Sequence, residues 1–182
     1  MVQKTENGQR TALGRLYLMR HGKAKKSRDD DRDAFRPLTK RGRRDVKKIR
    51  KLMIDRQIRP DLILCSPAVR TAETLLKLKK AFKTAEVVFI DALYPADADE
   101  ILRILRRTAP DKRDVLVIGH NPGLNDFLSM VCGRDASDEE AQHSAADGFP
   151  TSALACLEVS EPWQKLGNEP VRLKEFVCPS DL

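Results

Sequence analysis

Three short stretches place chemistry-bearing side chains beside main chain that can turn sharply. Arg20-His21-Gly22 follows an apolar run, Ser66-Pro67 leads into Arg70, and Gly119-His120-Asn121-Pro122-Gly123 closes another apolar run. Two arginines and two of the three histidines thus stand at the ends of apolar segments. That set suits a phosphoryl group. Guanidinium forks match phosphate oxygens in geometry and charge, and an imidazole can attack phosphorus and hold the group covalently. Gly22 would let the main chain approach the anion with no side chain in the way. Helices opening near Ala68 and Gly123 would add oriented N–H donors.

Each residue also has a purely structural reading. A histidine at a strand end is more often structural than catalytic, and His143, in an acidic stretch, keeps that reading. Arg70 could pair with Glu73 or Glu100, and Arg20 could cap a carbonyl. The functional reading rests on all four residues, Arg20, His21, Arg70 and His120, falling at strand carboxyl ends, where open α/β sheets bind ligands.

The elements that must position them alternate along the chain. Arg15 to Met19 reads as a strand. Thr39 to Arg56 reads as a helix, with Thr39 as N-cap and Val46, Ile49, Leu52 and Met53 on one face. Strand Asp61 to Cys65 and helix Ala68 to Phe82 follow, then strand Glu86 to Ile90 and helix Ala98 to Thr108. Asp114 to Gly119 is nearly all apolar, as a strand covered on both faces should be. A short helix covers Gly123 to Cys132. Gly133 to Gly148 is acidic, rich in small residues and expected to be a loop. Ser152 to Val159 and Val171 to Val177 close the chain as an antiparallel edge hairpin. The pattern predicts an α/β fold, a single-domain three-layer αβα sandwich with a mostly parallel sheet. Its domain is expected over 13–182, after a mobile tail over 1–12.

At 182 residues the chain can bury one ordinary core. The formal charge of +7 could serve nucleic acid, an acidic membrane surface or phosphate-bearing substrates. Much of it lies in Lys40 to Lys51, which lacks interleaved aromatics and reads as a solvated helix face, and no nucleic-acid-binding module is recognisable. No stretch reaches the roughly 18 apolar residues of a membrane span, and no secretory leader is apparent, so a cytoplasmic location is expected. The four cysteines, Cys65, Cys132, Cys156 and Cys178, show no metal-ligand spacing, and three sit in apolar surroundings. No metal or other cofactor is expected. There is no GxxxxGK[ST] loop or HExxH motif. Asn121 stands where a GxSxG elbow would place its nucleophile. Cys65 lies too close to Arg70 in sequence for a thiol-phosphatase loop and is expected to serve packing.

MRHGKA, CSPAVRTAET and VIGHNPG, in this order, resemble the histidine phosphatase superfamily, the phosphoglycerate mutase-like proteins. RPLTKRG (Arg36 to Gly42), the short chain and GHNPG resemble its SixA-like phosphohistidine phosphatase branch more closely. The resemblance runs from Leu16 to Val177 and implies a phosphoglycerate mutase-like fold and a metal-independent phosphatase. In it, His21 would become phosphorylated, while Arg20, Arg70 and His120 would surround the phosphoryl group. Arg36, with Gly22 and Asn121, would contact substrate. His21 would have to be neutral, its other ring nitrogen donating to a carbonyl.

Two departures bear on the substrate. Many relatives place a carboxylic general acid after the third strand; here that stretch reads DALYPADADE, with Tyr94 and Pro95 at the expected place and Asp91, Asp97 and Asp99 as weak substitutes. Glu73 reads as a surface residue. An alkoxide leaving group needs a proton, because it is about as basic as hydroxide, whose parent water has a pKa of ~15.7. Imidazole, with a reference pKa of about 6.5, can leave already protonated. Only one helix lies between Ile90 and Val115, which implies an open pocket. These features favour phosphohistidine in a partner protein over small phosphate esters. A phosphate-binding module without turnover stays open, as do the partner's identity and the oligomeric state.

Overall fold

The computed structural model describes residues 14–26, 30–108, 111–133, 137–146 and 148–182; the expected tail over 1–12 lies outside them. The chain runs β1 (Gly14–Arg20), α1 (Lys40–Asp55), β2 (Leu62–Cys65), α2 (Val69–Leu78), β3 (Glu86–Phe89), α3 (Ala98–Arg106), β4 (Asp114–Gly119), α4 (Gly123–Val131), α5 (Glu139–Ala146), β5 (Leu154–Val159) and β6 (Arg172–Val177). One six-stranded sheet forms in the order β3-β2-β4-β1-β5-β6. β1, β2, β3 and β4 are parallel, and β5 pairs antiparallel with both β1 and β6. β5 and β6 thus form the expected antiparallel hairpin at one edge of the sheet, joined to the parallel strands through β1.

The alternation of side chains along buried strands sorts the core into two layers. Leu16, Leu18, Leu62, Leu64, Val115 and Val117 face α3 and α4 through Ile101, Leu105, Leu124 and Phe127. Tyr17, Met19, Ile63, Cys65, Leu116 and Ile118 face α1 and α2 through Val46, Ile49, Met53, Leu75 and Leu78. This is the expected three-layer sandwich, and all six residues of β4 are buried.

Local chemistry sets the element ends. Thr39 caps α1, its hydroxyl accepting from the Gly42 amide at 3.0 Å and donating to the Lys23 carbonyl at 3.0 Å. α2 stops at Leu78, earlier than the periodicity suggested, and passes into a 3-10 turn, Lys79–Ala81. The acidic stretch expected to be a loop contains α5. Asp138 opens it by accepting the Glu140 amide at 3.2 Å, and Glu139 and Glu140 complement the positive end of the helix. Its periodicity was faint because only Ala141 on that helix is buried.

The topology creates a crevice. β1 and β4 are neighbours, yet α1 leaves toward one face and α4 toward the other. Outside the carboxyl ends of two such strands lies the usual ligand crevice of an α/β sheet. Arg20, His21 and His120 emerge there.

Candidate functional site

His21 follows β1 directly, its amide donating to the Gly119 carbonyl at 3.2 Å, which ties the two strand ends together. The residue is 8% exposed. Its Nδ1 lies 2.8 Å from the Gly22 carbonyl, an acceptor only, so the ring proton sits on Nδ1. Nε2 is therefore the lone-pair nitrogen, and Arg70 Nε donates to it at 3.2 Å. Burial pushes the imidazole pKa down to about 4, helped by the charges of Arg70, Arg20 and Arg36 and opposed by the Gly22 hydrogen bond. The ring is neutral at physiological pH.

Gly22 has both main-chain groups engaged: its carbonyl by His21, and its amide by donation to Thr74 Oγ1 at 3.0 Å. A Cβ there would lie 2.9 Å from Val46 Cγ2 and 3.1 Å from the Gly42 carbonyl. Glycine is required here by the approach to α1.

His120, also 8% exposed, has its ring centroid 5.1 Å from that of His21. Its Nε2 lies 2.8 Å from Ser66 Oγ, and Ala68 N approaches the same hydroxyl at 3.5 Å. The fully buried Ser66 hydroxyl has its acceptor in His120 Nε2, which assigns the ring proton to Nδ1. Among the described residues Nδ1 is buried with no partner, as is Arg20 Nε. Burial, then His21 and the arginines, drive the His120 pKa down to about 3. His120 is thus a neutral N–H donor. Arg20 also holds the Phe149 carbonyl through Nη1 at 2.7 Å, and Asn121 Nδ2 reaches the same carbonyl at 3.0 Å, while Asn121 Oδ1 has no partner among the described residues.

Arg70, in the first turn of α2, is 4% exposed. It meets neither Glu73 nor Glu100. Its Nη1 donates to the Asp33 carbonyl at 2.7 Å and its Nη2 to Asp33 Oδ2 at 2.9 Å. Asp33 belongs to the 3-10 turn Asp30–Phe35 and was not among the sequence candidates. Arg36 Nη2 pairs with Asp33 Oδ1 at 2.6 Å, while its Nη1 donates to the Lys25 carbonyl at 3.0 Å. Tyr94 completes the cluster: its hydroxyl donates to Asp33 Oδ2 at 2.7 Å, its ring meets His120 edge-on at 5.2 Å, and Arg70 lies over it at 5.4 Å. The Tyr94 hydroxyl, then Arg70 and Arg36, hold the Asp33 pKa down at about 2, so it is a carboxylate.

Two of the carboxylates considered from sequence, Asp97 and Glu73, are engaged elsewhere. Asp97 caps α3 by accepting the Glu100 amide at 2.8 Å. Glu73, expected to be a plain surface residue, accepts the Leu38 amide at 3.0 Å and pairs with Arg43, anchoring the segment after Arg36. Cys65 is fully buried, its pKa pushed up to about 12 by burial, in keeping with packing. Asp33 had one legible signal, its position three residues before Arg36 in a turn. Tyr94 stood where a carboxylate was sought.

The geometry brings together one lone-pair nitrogen, one N–H donor and converging guanidinium groups, a set that can receive a tetrahedral anion. Residues 16–101 match the family model for the histidine phosphatase superfamily (branch 1). The SixA protein of Agrobacterium tumefaciens, assigned as a phosphohistidine phosphatase, is 32% identical with a TM-score of 0.77, over 92% of this chain and 99% of that one. Its counterpart from Nakamurella multipartitia is 27% identical with a TM-score of 0.79, over 91% and 96%. A chloroplastic protein of Arabidopsis thaliana is 31% identical over 160 residues, 81% of this chain and 72% of the other. The chain belongs to the histidine phosphatase superfamily. It is a hydrolase of the histidine phosphatase type with SixA-like structural neighbours.

Proposed function

We propose that the protein removes phosphate from phosphohistidine in a partner protein through a covalent intermediate on His21, with no metal required. The observation that carries this reading is the pairing of His21 Nδ1 with the Gly22 carbonyl, which leaves Nε2 as a neutral nucleophile beside Arg70. His21 Nε2 attacks phosphorus as the P–N bond of the substrate breaks, and the electron pair returns to the departing ring. That ring, protonated on its other nitrogen, leaves as neutral imidazole. Water then displaces the phosphoryl group from His21, which keeps its Nδ1 proton, and dihydrogen phosphate departs. Arg20, Arg70 and the His120 Nδ1–H stabilise the charge on the equatorial oxygens, and Arg36 binds at the rim.

The nitrogen–phosphorus preference is supported by the protonation states. His120 is held neutral and Asp33 ionised, and the Tyr94 hydroxyl is a weaker acid than usual because it donates to Asp33. None of the three is a good proton donor at neutral pH. Transfer from one imidazole to another needs none, whereas an alkoxide does. A protein substrate is supported by Phe35, which is 70% exposed and lies between Asp33 and Arg36 at the pocket rim.

Labelling with a phosphorylated histidine domain tests the covalent step. Wild type should acquire an acid-labile phosphoryl label that His21→Ala lacks. Phosphoramidate should exceed glycerol phosphate in kcat/KM by at least about tenfold. Faster glycerol phosphate hydrolysis would overturn the substrate reading, and a label persisting in His21→Ala would overturn the nucleophile.

A further inference from the structure

Asp33 poses a problem for a phosphatase. A carboxylate sits on the same Arg70 and Arg36 guanidinium groups that an incoming phosphate would use. Like charges repel, so such a group would be expected to weaken binding of any multiply charged anion. Its arrangement gives it a use. A carboxylate offers about four acceptor positions. Three are taken, by Arg36 at Oδ1 and by Arg70 and Tyr94 at Oδ2. The fourth, on Oδ1, has no partner among the described contacts, and the side chain is 38% exposed at the edge of the pocket.

We infer that Asp33 is a specificity-determining residue that accepts a hydrogen bond from the N–H of a cationic leaving group, selecting protonated phosphoramidates over phosphate esters. The inference rests on the phosphohistidine reading and deepens it. In phosphohistidine the ring nitrogen away from phosphorus carries the proton that makes the ring a leaving group. A carboxylate facing that N–H holds the proton in place while the P–N bond breaks toward the ring, and no proton changes hands. The carboxylate is held rigid for this task by three donors from three segments: Arg36 just after the 3-10 turn, Arg70 on α2 and Tyr94 in the loop after β3. An ester oxygen presents no N–H and meets only the negative charge.

The test compares phosphoramidate, a zwitterion that leaves as ammonia, with p-nitrophenyl phosphate, which needs no proton and offers no N–H. The readout is the ratio of their kcat/KM values in wild type, Asp33→Asn and Asp33→Ala. Losses shared by both substrates, from altered packing around Arg70, cancel in the ratio. The ratio should fall at least about tenfold in both variants, the worth of one hydrogen bond to a charged group. A ratio unchanged within about twofold would overturn the inference and leave Asp33 as scaffolding for Arg70. Acid-labile labelling of the wild type separates the two readings. A label with an unchanged ratio removes Asp33 alone, and no label with a lowered ratio removes the covalent intermediate alone.

Discussion

Two histidines 5.1 Å apart by ring centroid do different work because their neighbours fix different nitrogens. In His21 the Gly22 carbonyl claims Nδ1–H and frees the lone pair of Nε2; in His120 the Ser66 hydroxyl claims the Nε2 lone pair and frees Nδ1–H. In the proposed mechanism one ring is thereby the nucleophile and the other a donor, although both are neutral. Ser66→Ala should therefore lower kcat about tenfold with little change in KM, because the His120 donor counts most when charge develops on the phosphoryl oxygens. Steady-state kinetics on phosphoramidate would check this, and an unchanged kcat would show that Ser66 does not set the tautomer. At this scale Arg20, His21, Arg70 and His120 were legible in the sequence because each closes or opens an apolar element. Asp33 carried only the faint signal of standing three residues before Arg36, and nothing in a short polar turn announces that three donors will converge on it.

At the scale of elements, the loop that carries His21 is held by a close main-chain approach to α1. A Cβ on Gly42 would lie 2.3 Å from the Lys23 carbonyl oxygen and 2.7 Å from its nitrogen. Gly22 and Gly42 are two halves of one contact, reinforced by Thr39 bonding the same Lys23 carbonyl. Gly42→Ala should cost about 1–3 kcal/mol of stability, as overpacking does, and should also slow phosphoramidate turnover by displacing His21. Denaturant titration and kinetics on the same variant would show both effects together. The position of α1 was readable from its cap and apolar face. The contact itself was not, since a glycine inside a helix pattern gives no hint of which strand end it meets. The same distance from local signals hid α5, whose stability derives from Asp138 and from packing against β6.

For the whole molecule, the two buried imidazoles link stability to pH. In the unfolded chain each takes up a proton near 6.5, but in the fold only near about 4 for His21 and about 3 for His120. Between those values the unfolded state binds more protons, so stability rises with pH through the window and is lost as pH falls from about 6.5 toward 4. Asp33, held at about 2, adds a loss of the same sign, but only below the ordinary carboxylate range. The melting temperature should drop between pH 7 and pH 5, and His21→Gln should make that drop shallower. An equal drop in wild type and variant would mean that His21 is already protonated in the folded state at pH 5.

The alternation of strand and helix, the burial of β4 and the placement of chemistry at strand ends follow from periodicity and charge, which are local properties of the sequence. The same properties exclude a membrane-spanning helix among the described residues. What only the tertiary structure decided is which groups share the candidate site and in what protonation state. Asp33, Tyr94 and Ser66 come from three separate segments and meet Arg70 and His120 only once the sheet order puts β2 beside β4 and β4 beside β1. Hydrogen-bond partners and burial set a proton's position, and neither exists until distant parts of the chain are in contact.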